Sequence, residues 1–157
     1  MDQFIGVGTS ASGATPTRLN QCILHRSNED LADNDKSITV PTQSVWELLT
    51  GRIEFISKAA VGNRQLCLEI TDNGGVVYSQ MFSPNVQAEN LTWQYIFTQH
   101  GQLAGANLYT VVEGVMLPTS LLILQGFKIR MYDIAGINAV DDLKYYWLIK
   151  QTKYDVR

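Results

Sequence analysis

NRQLCLEITDNGGVVYSQMF, residues 63–82, decides the fold class. Leu66, Leu68 and Ile70 alternate with Gln65, Cys67 and Glu69. A period of two puts the first set on the inner face of a half-buried strand and the second on its outer face. Asp72-Asn73-Gly74-Gly75 then interrupts the alternation with residues that accept the positive φ of a tight reversal. Val76 to Phe82 resumes it, so the stretch reads as a β-hairpin.

The same period extends outward in both directions. Upstream lie a short strand at Ile38 to Val40 and a longer one from Val45 to Ser57, with Leu49, Ile53 and Phe55 on one parity. Downstream, Leu91 to Gln99 places Trp93, Tyr95 and Phe97 together, and Tyr109 to Met116 is a weaker strand broken by Gly114. Phe127 to Asp133 sets Phe127, Ile129 and Met131 against Lys128, Arg130 and Tyr132. Leu143 to Gln151 sets Leu143, Tyr145, Trp147 and Ile149 against Lys144, Tyr146, Leu148 and Lys150. Leu117 to Gly126 is apolar without a clean period and reads as part strand, part buried connection. No window of helical length carries a 3.6-residue stripe. The expectation is an all-β, antiparallel two-sheet sandwich of about eight strands, jelly-roll-like, with an irregular barrel as the alternative.

Residues 1–36 differ from the rest. Gly6, Gly8, Ser10, Ser12, Gly13, Thr15, Pro16 and Thr17 follow no period, and NEDLADNDK (residues 28–36) is polar. The apolar residues here, Phe4, Ile5, Leu19, Ile23 and Leu24, are too scattered to build a core. The segment reads as an extended N-terminal arm, ordered only against the body or a neighbour, with the sandwich domain spanning 37–157.

Composition narrows the function. The chain has 157 residues, with 12 Lys+Arg against 15 Asp+Glu, a net charge of −3 and only 17% charged residues. No basic stripe is available to neutralise phosphates, which argues against nucleic acid as a partner. The 45% hydrophobic share argues against a disordered acidic tail. A low charge share also points to surface that meets another chain. The longest strongly apolar run, Leu121 to Leu124, is far below the roughly 20 residues of a membrane span, so no membrane partner is expected. MDQFIGVG has no basic segment before its short apolar stretch, so no signal peptide is expected and the sequon at Asn90 has no secretory context. Cys22 and Cys67 are too few for a disulfide framework. The chain reads as cytosolically made, soluble and reduced.

Candidate chemistry fails motif by motif. Residues 8–15 have the glycine spacing of a phosphate-binding loop, but Ala14 stands where the lysine must be. The same stretch lacks the third glycine, the preceding strand and the following helix of a dinucleotide fingerprint. Asp30, Asp33 and Asp35 lack the turn glycine and the terminal glutamate of a calcium loop. Asp133, Asp141 and Asp142 cluster near a strand junction, where aspartate caps turns. His25 and His100 share no metal-binding spacing, and no spacing supports Cys67 as a nucleophile paired with either. No catalytic residue, cofactor or metal ligand is expected, and the chain does not read as an enzyme. Trp93 and Trp147, with Tyr95 and Tyr145, share parity with the apolar sets and, together with Trp46, read as core. Tyr132 and Tyr146 lie on the opposite parity and read as outward contacts for a protein neighbour or a sugar.

Three stretches together resemble a known family: AVGNRQLCLEITDNGGVVYSQM (60–81), LTWQYIF (91–97) and LQGFKIRMYDIAGINAVDDLKYYWLI (124–149). The residues that carry the resemblance are Asn63, Arg64, Leu68, Ile70, Thr71, Asp72, Gly75 and Val77 in the first block. In the last block they are Gly126, Ile129, Arg130, Asp133, Ala135, Gly136, Ile137, Asp141 and Asp142. The pattern, covering roughly residues 45 to 151, is similar to that of small virion structural proteins of tailed bacteriophages, of the capsid decoration (cement) type. The resemblance implies a β-sandwich or jelly-roll body that binds rather than catalyses. It implies the major capsid protein and copies of the chain itself as partners, a homotrimer by analogy, and the virion exterior as location. Candidate contacts are Phe4, Ile5, Leu19, Ile23 and Leu24 of the arm with Tyr132 and Tyr146 of the body. A neck, tail or head-fibre component of the same particle, or a carbohydrate-binding module, are the alternatives.

Overall fold

A computed structural model describes residues 18–27, 35–58, 62–99, 104–107, 110–135 and 140–154, with backbone alone at 18–19, 104–107 and 110–111. Among them there are eleven strands and no helix. These are β1 (Arg18–Arg26), β2 (Asp35–Thr39), β3 (Ser44–Ile56), β4 (Leu66–Thr71), β5 (Val77–Phe82) and β6 (Thr92–Thr98). β7 (Ala104–Asn107), β8 (Thr110–Met116), β9 (Leu122–Ile123), β10 (Lys128–Asp133) and β11 (Asp142–Tyr154) complete the set.

The strands form two sheets. The larger runs β1-β11-β3-β6-β8-β7, with β9 beside the start of β3, and the smaller runs β2-β10-β4-β5. Set aside the β7–β9 excursion, and the eight remaining strands divide between the sheets in the order of a jelly roll: first, eighth, third and sixth in one, second, seventh, fourth and fifth in the other. All pairs among these eight are antiparallel. The exception lies in the excursion, where β8 runs parallel to β6.

The hairpin at 63–82 forms as its sequence requires. β4 pairs antiparallel with β5, and Asp72 Oδ1 accepts the N–H of Gly74 and of Val76, each at 2.8 Å. Gly75 sits at φ 84°, a left-handed conformation that a residue with a Cβ resists. The segment 117–126 contributes only the two residues of β9, the rest being connection.

The apolar parities meet between the sheets. Trp46, Leu48, Ile53, Phe55, Tyr95, Phe97, Trp147 and Ile149 from the larger sheet face Leu66, Leu68, Ile129 and Met131 from the smaller. Each fully buried side chain of this kind contributes about 1.5–3 kcal/mol. Trp147 lies near the middle, 5.2 Å from the Phe97 ring, with its indole N–H donated to the Met131 sulfur at 3.2 Å. Gly51 is its cross-strand partner, and a Cβ there would lie 2.1 Å from the indole. Only glycine lets β3 pass that ring.

Three expectations are corrected. Leu49 does not face inward: the register between β11 and β3 shifts there, so that Leu48, at 0% exposure, takes the core position. The shift is a β-bulge, in which one extra residue flips the parity of those before it. Cys67 and Glu69, expected on an outer face, are both buried. The boundary drawn between residues 36 and 37 falls inside β2, and residues 18–26 lie along β11 as an edge strand of the body. The rest of the expected arm, residues 1–17 and 28–34, lies outside the described residues.

Candidate partner-binding surfaces

Arg64, Asp133 and Asp141 serve the frame. Arg64 Nε meets Asp141 Oδ2 at 2.9 Å, with side chains 4% and 0% exposed. Asp141 Oδ1 also accepts the Lys58 N–H at 2.7 Å, and Arg64 Nη1 donates to the Gly62 carbonyl. The backbones of Arg64 and Gln87 exchange two hydrogen bonds, and the buried Gln87 amide donates to the carbonyls of Phe55 and Leu91. These contacts tie the β3–β4, β5–β6 and β10–β11 connections together at one end of the sandwich. Asp133 Oδ1 accepts the N–H of Gln65 and Ala135, at 2.9 and 3.0 Å, and burial raises its pKa despite those bonds. Asp133 and Asp141 are thus occupied by backbone and arginine donors. Among the described residues no group of three or more His, Cys, Asp or Glu is placed to hold a metal ion.

Cys67 and His25 are apart. Cys67 is buried in β4, and burial pushes its thiol pKa up, away from the thiolate a nucleophile needs. His25 belongs to the other sheet, stacked on Tyr145 at 5.8 Å and tilted against Trp46 at 5.7 Å, with its pKa lowered by burial. His100 lies outside the described residues.

The outer face of the smaller sheet is closed by a polar cluster. Arg130 grips Asp35 with two hydrogen bonds of 2.8 Å and lies over the Tyr132 ring, 4.2 Å from its centroid. The Tyr132 hydroxyl donates to Glu69 Oε2 at 3.0 Å, and Gln80 donates to the same oxygen at 2.7 Å. Burial and this hydrogen bonding raise the Tyr132 pKa, and the side chains together cover Cys67 and Glu69. Tyr132 is half-buried, with one ring face taken by the guanidinium.

The outer face of the larger sheet carries exposed apolar side chains at β1 and β11. Leu24 of β1 stands opposite Leu148 of β11, and Arg26 opposite Tyr146. Leu24 is 65% exposed, Leu148 38% and Tyr146 36%, which makes one apolar strip across the two strands. Arg52 lies 5.7 Å from the Tyr146 ring centroid, and Lys150 pairs with Glu47 at 3.2 Å along the margin. An apolar centre with a charged rim is the usual layout of a contact surface.

Of the seven residues expected to touch a partner, Leu24 and Tyr146 come together on this strip. Tyr132 points away from it, on the opposite face of the sandwich, so the two tyrosines form no common platform for a sugar. Ile23 packs against the core. Leu19 falls in β1 opposite Lys153, its side chain outside the described residues, as are Phe4 and Ile5 altogether. Sequence reasoning placed Leu148 outward without weighing it as a contact. Its alternation with Trp147 and Ile149 was the available signal.

No protein-family model, no curated protein and no solved structure matches the chain.

Proposed function

We propose that the protein is a structural component of a tailed-phage virion, a binding protein and not an enzyme. Within that class it is a capsid decoration protein, which docks on the lattice of the major capsid protein and stabilises the head. The observation that supports this reading is the open strip of Leu24, Tyr146 and Leu148 on a sheet made stiff by the core behind it. A protein that holds neighbouring capsid subunits against internal pressure needs such a rigid, largely uncharged contact area. Modest affinity per site suffices, because many copies on one lattice add by multivalency. The resemblance in the two motif blocks supports the same reading.

The test is a count. Mass-spectrometric quantification of purified virions that carry the chain is expected to give a copy number comparable to that of the major capsid protein. A small ring's worth of copies would move the protein to the neck or tail, and absence from the particle would end the virion reading. Leu24→Asp with Tyr146→Asp, both exposed, is expected to abolish binding to emptied shells while leaving the far-ultraviolet circular dichroism unchanged.

A further inference from the structure

The two edges of the smaller sheet are built differently. β2 carries Asp35 and Lys36, charges of the kind that discourage strand-to-strand pairing. β5, VYSQMF, carries none, and no charged residue occurs anywhere from Asn73 to Ala88. Its apolar side chains are exposed: Val77 47%, Tyr78 65% and Phe82 41%, with Val76 at 59% beside them. Among the described residues no strand pairs with its second edge.

The backbone of β5 is set for pairing. Ser83 donates its N–H to Leu66, so the alternate residue Met81 also turns its hydrogen-bonding groups toward β4. Gln80 and Phe82 therefore turn theirs to the open side. At the start of the strand Ile70 faces Ser79 and Thr71 faces Val77, which leaves Tyr78 as the extra residue of a bulge.

We infer that β5 pairs antiparallel with β5 of a second copy of this chain across a two-fold axis, joining two smaller sheets into one of eight strands. Aligning Gln80 with itself exchanges two backbone hydrogen bonds at the axis and brings Phe82 opposite Tyr78 of the partner subunit. The Tyr78 ring itself lies 5.2 Å from the Phe127 ring of its own chain, so the contact at this position rests on the paired backbones. The absence of charge is what selects a second copy, because a two-fold axis sets the residue on it against its own kind and any charge near the axis would meet its like. The inference stands on β5 alone. A protein monomeric in solution removes it and leaves the virion reading to its own count of copies.

Sedimentation velocity of the full chain at micromolar concentrations is expected to show a monomer–dimer equilibrium. Gln80→Lys keeps a donor for Glu69 but sets two lysines face to face at the axis, and is expected to weaken the dimer at least about tenfold with the fold intact. Tyr78→Lys, at a more exposed position, serves the same purpose should the first variant not fold. Gln80→Cys in a Cys22→Ser background is expected to give a covalent dimer on mild oxidation, since paired Cα atoms at this kind of position lie about 5.5 Å apart, within disulfide reach. A wild-type monomer, a wild-type trimer, a dimer undisturbed by the lysine variants, or failure of Gln80→Cys to cross-link would each overturn the pairing.

Discussion

Arg64 and Asp141 meet with side chains 4% and 0% exposed, whereas Arg130 and Asp35 meet with theirs 36% and 28% exposed. The chemistry is the same and the geometry of the open pair is, if anything, the better, with two bonds of 2.8 Å. What differs is what happens when one partner is removed. In the open pair water takes the vacated place. In the closed one it cannot, and a charge is left inside the protein without compensation. The same ion pair is therefore a replaceable surface contact in one place and a condition of the fold in the other.

The largest effect expected is at the closed pair. Asp141→Ala should cost about 3–5 kcal/mol, because it strands the Arg64 guanidinium and leaves the Lys58 N–H without its acceptor. Urea denaturation reads this directly, and a loss near 1 kcal/mol would mean that water reaches Arg64 and that the contrast is false. Asp133, also buried but served by backbone donors alone, gives an intermediate case. Asp133→Ala should cost about 1–3 kcal/mol by orphaning two N–H groups, while Asp133→Asn keeps an acceptor oxygen and should be nearly neutral.

The pH dependence sharpens the point. The folded-state pKa of Asp133 is raised above its ordinary 3.8, so the folded protein holds that proton more tightly than the unfolded chain. The group therefore subtracts stability as pH rises above 3.8 through the folded value, and Asp133→Asn should flatten that part of the stability–pH curve. His25 acts in the opposite sense. Burial lowers its pKa below 6.5, so its contribution is present above 6.5 and is lost as pH falls through the folded value. Replacing it with Phe should remove a decline in stability below pH 6.5, measured as Tm against pH. Smallest of all, Asp35→Ala should cost about 0–1 kcal/mol at low salt and less at high salt, since the pair it breaks is partly solvated.

The hairpin and the long strands were readable because alternation, turn glycines and aromatic parity all agree there. β1 was not, because the parity it shares with Ile23 carries the polar Gln21, which is exposed, and His25, while its apolar Leu24 faces out. A strand whose apolar parity also carries polar residues leaves no two-residue hydrophobic signal. The burial of Cys67 and Glu69 was hidden for another reason: it comes from Tyr132, Arg130 and Gln80, side chains brought over them by tertiary pairing. The parallel direction of β8 has no local signature at all, since alternation is the same in either direction. Arg64 and Asp141 were both singled out within motif blocks, yet their union spans 77 positions and depends on which connections share an end of the sandwich.

The strand order has a consequence for biosynthesis. β10 lies between β2 and β4, and β11 lies between β1 and β3. Each of the two innermost seams is thus filled by a strand among the last to leave the ribosome, while the strands flanking it are made early. A growing chain can close the β4–β5 hairpin but can complete neither sheet until residues 128–154 emerge. Pairings this distant along the chain close late and slowly. A transcript truncated before β10 should therefore yield no partial domain, only a chain that chaperones hold or proteases clear.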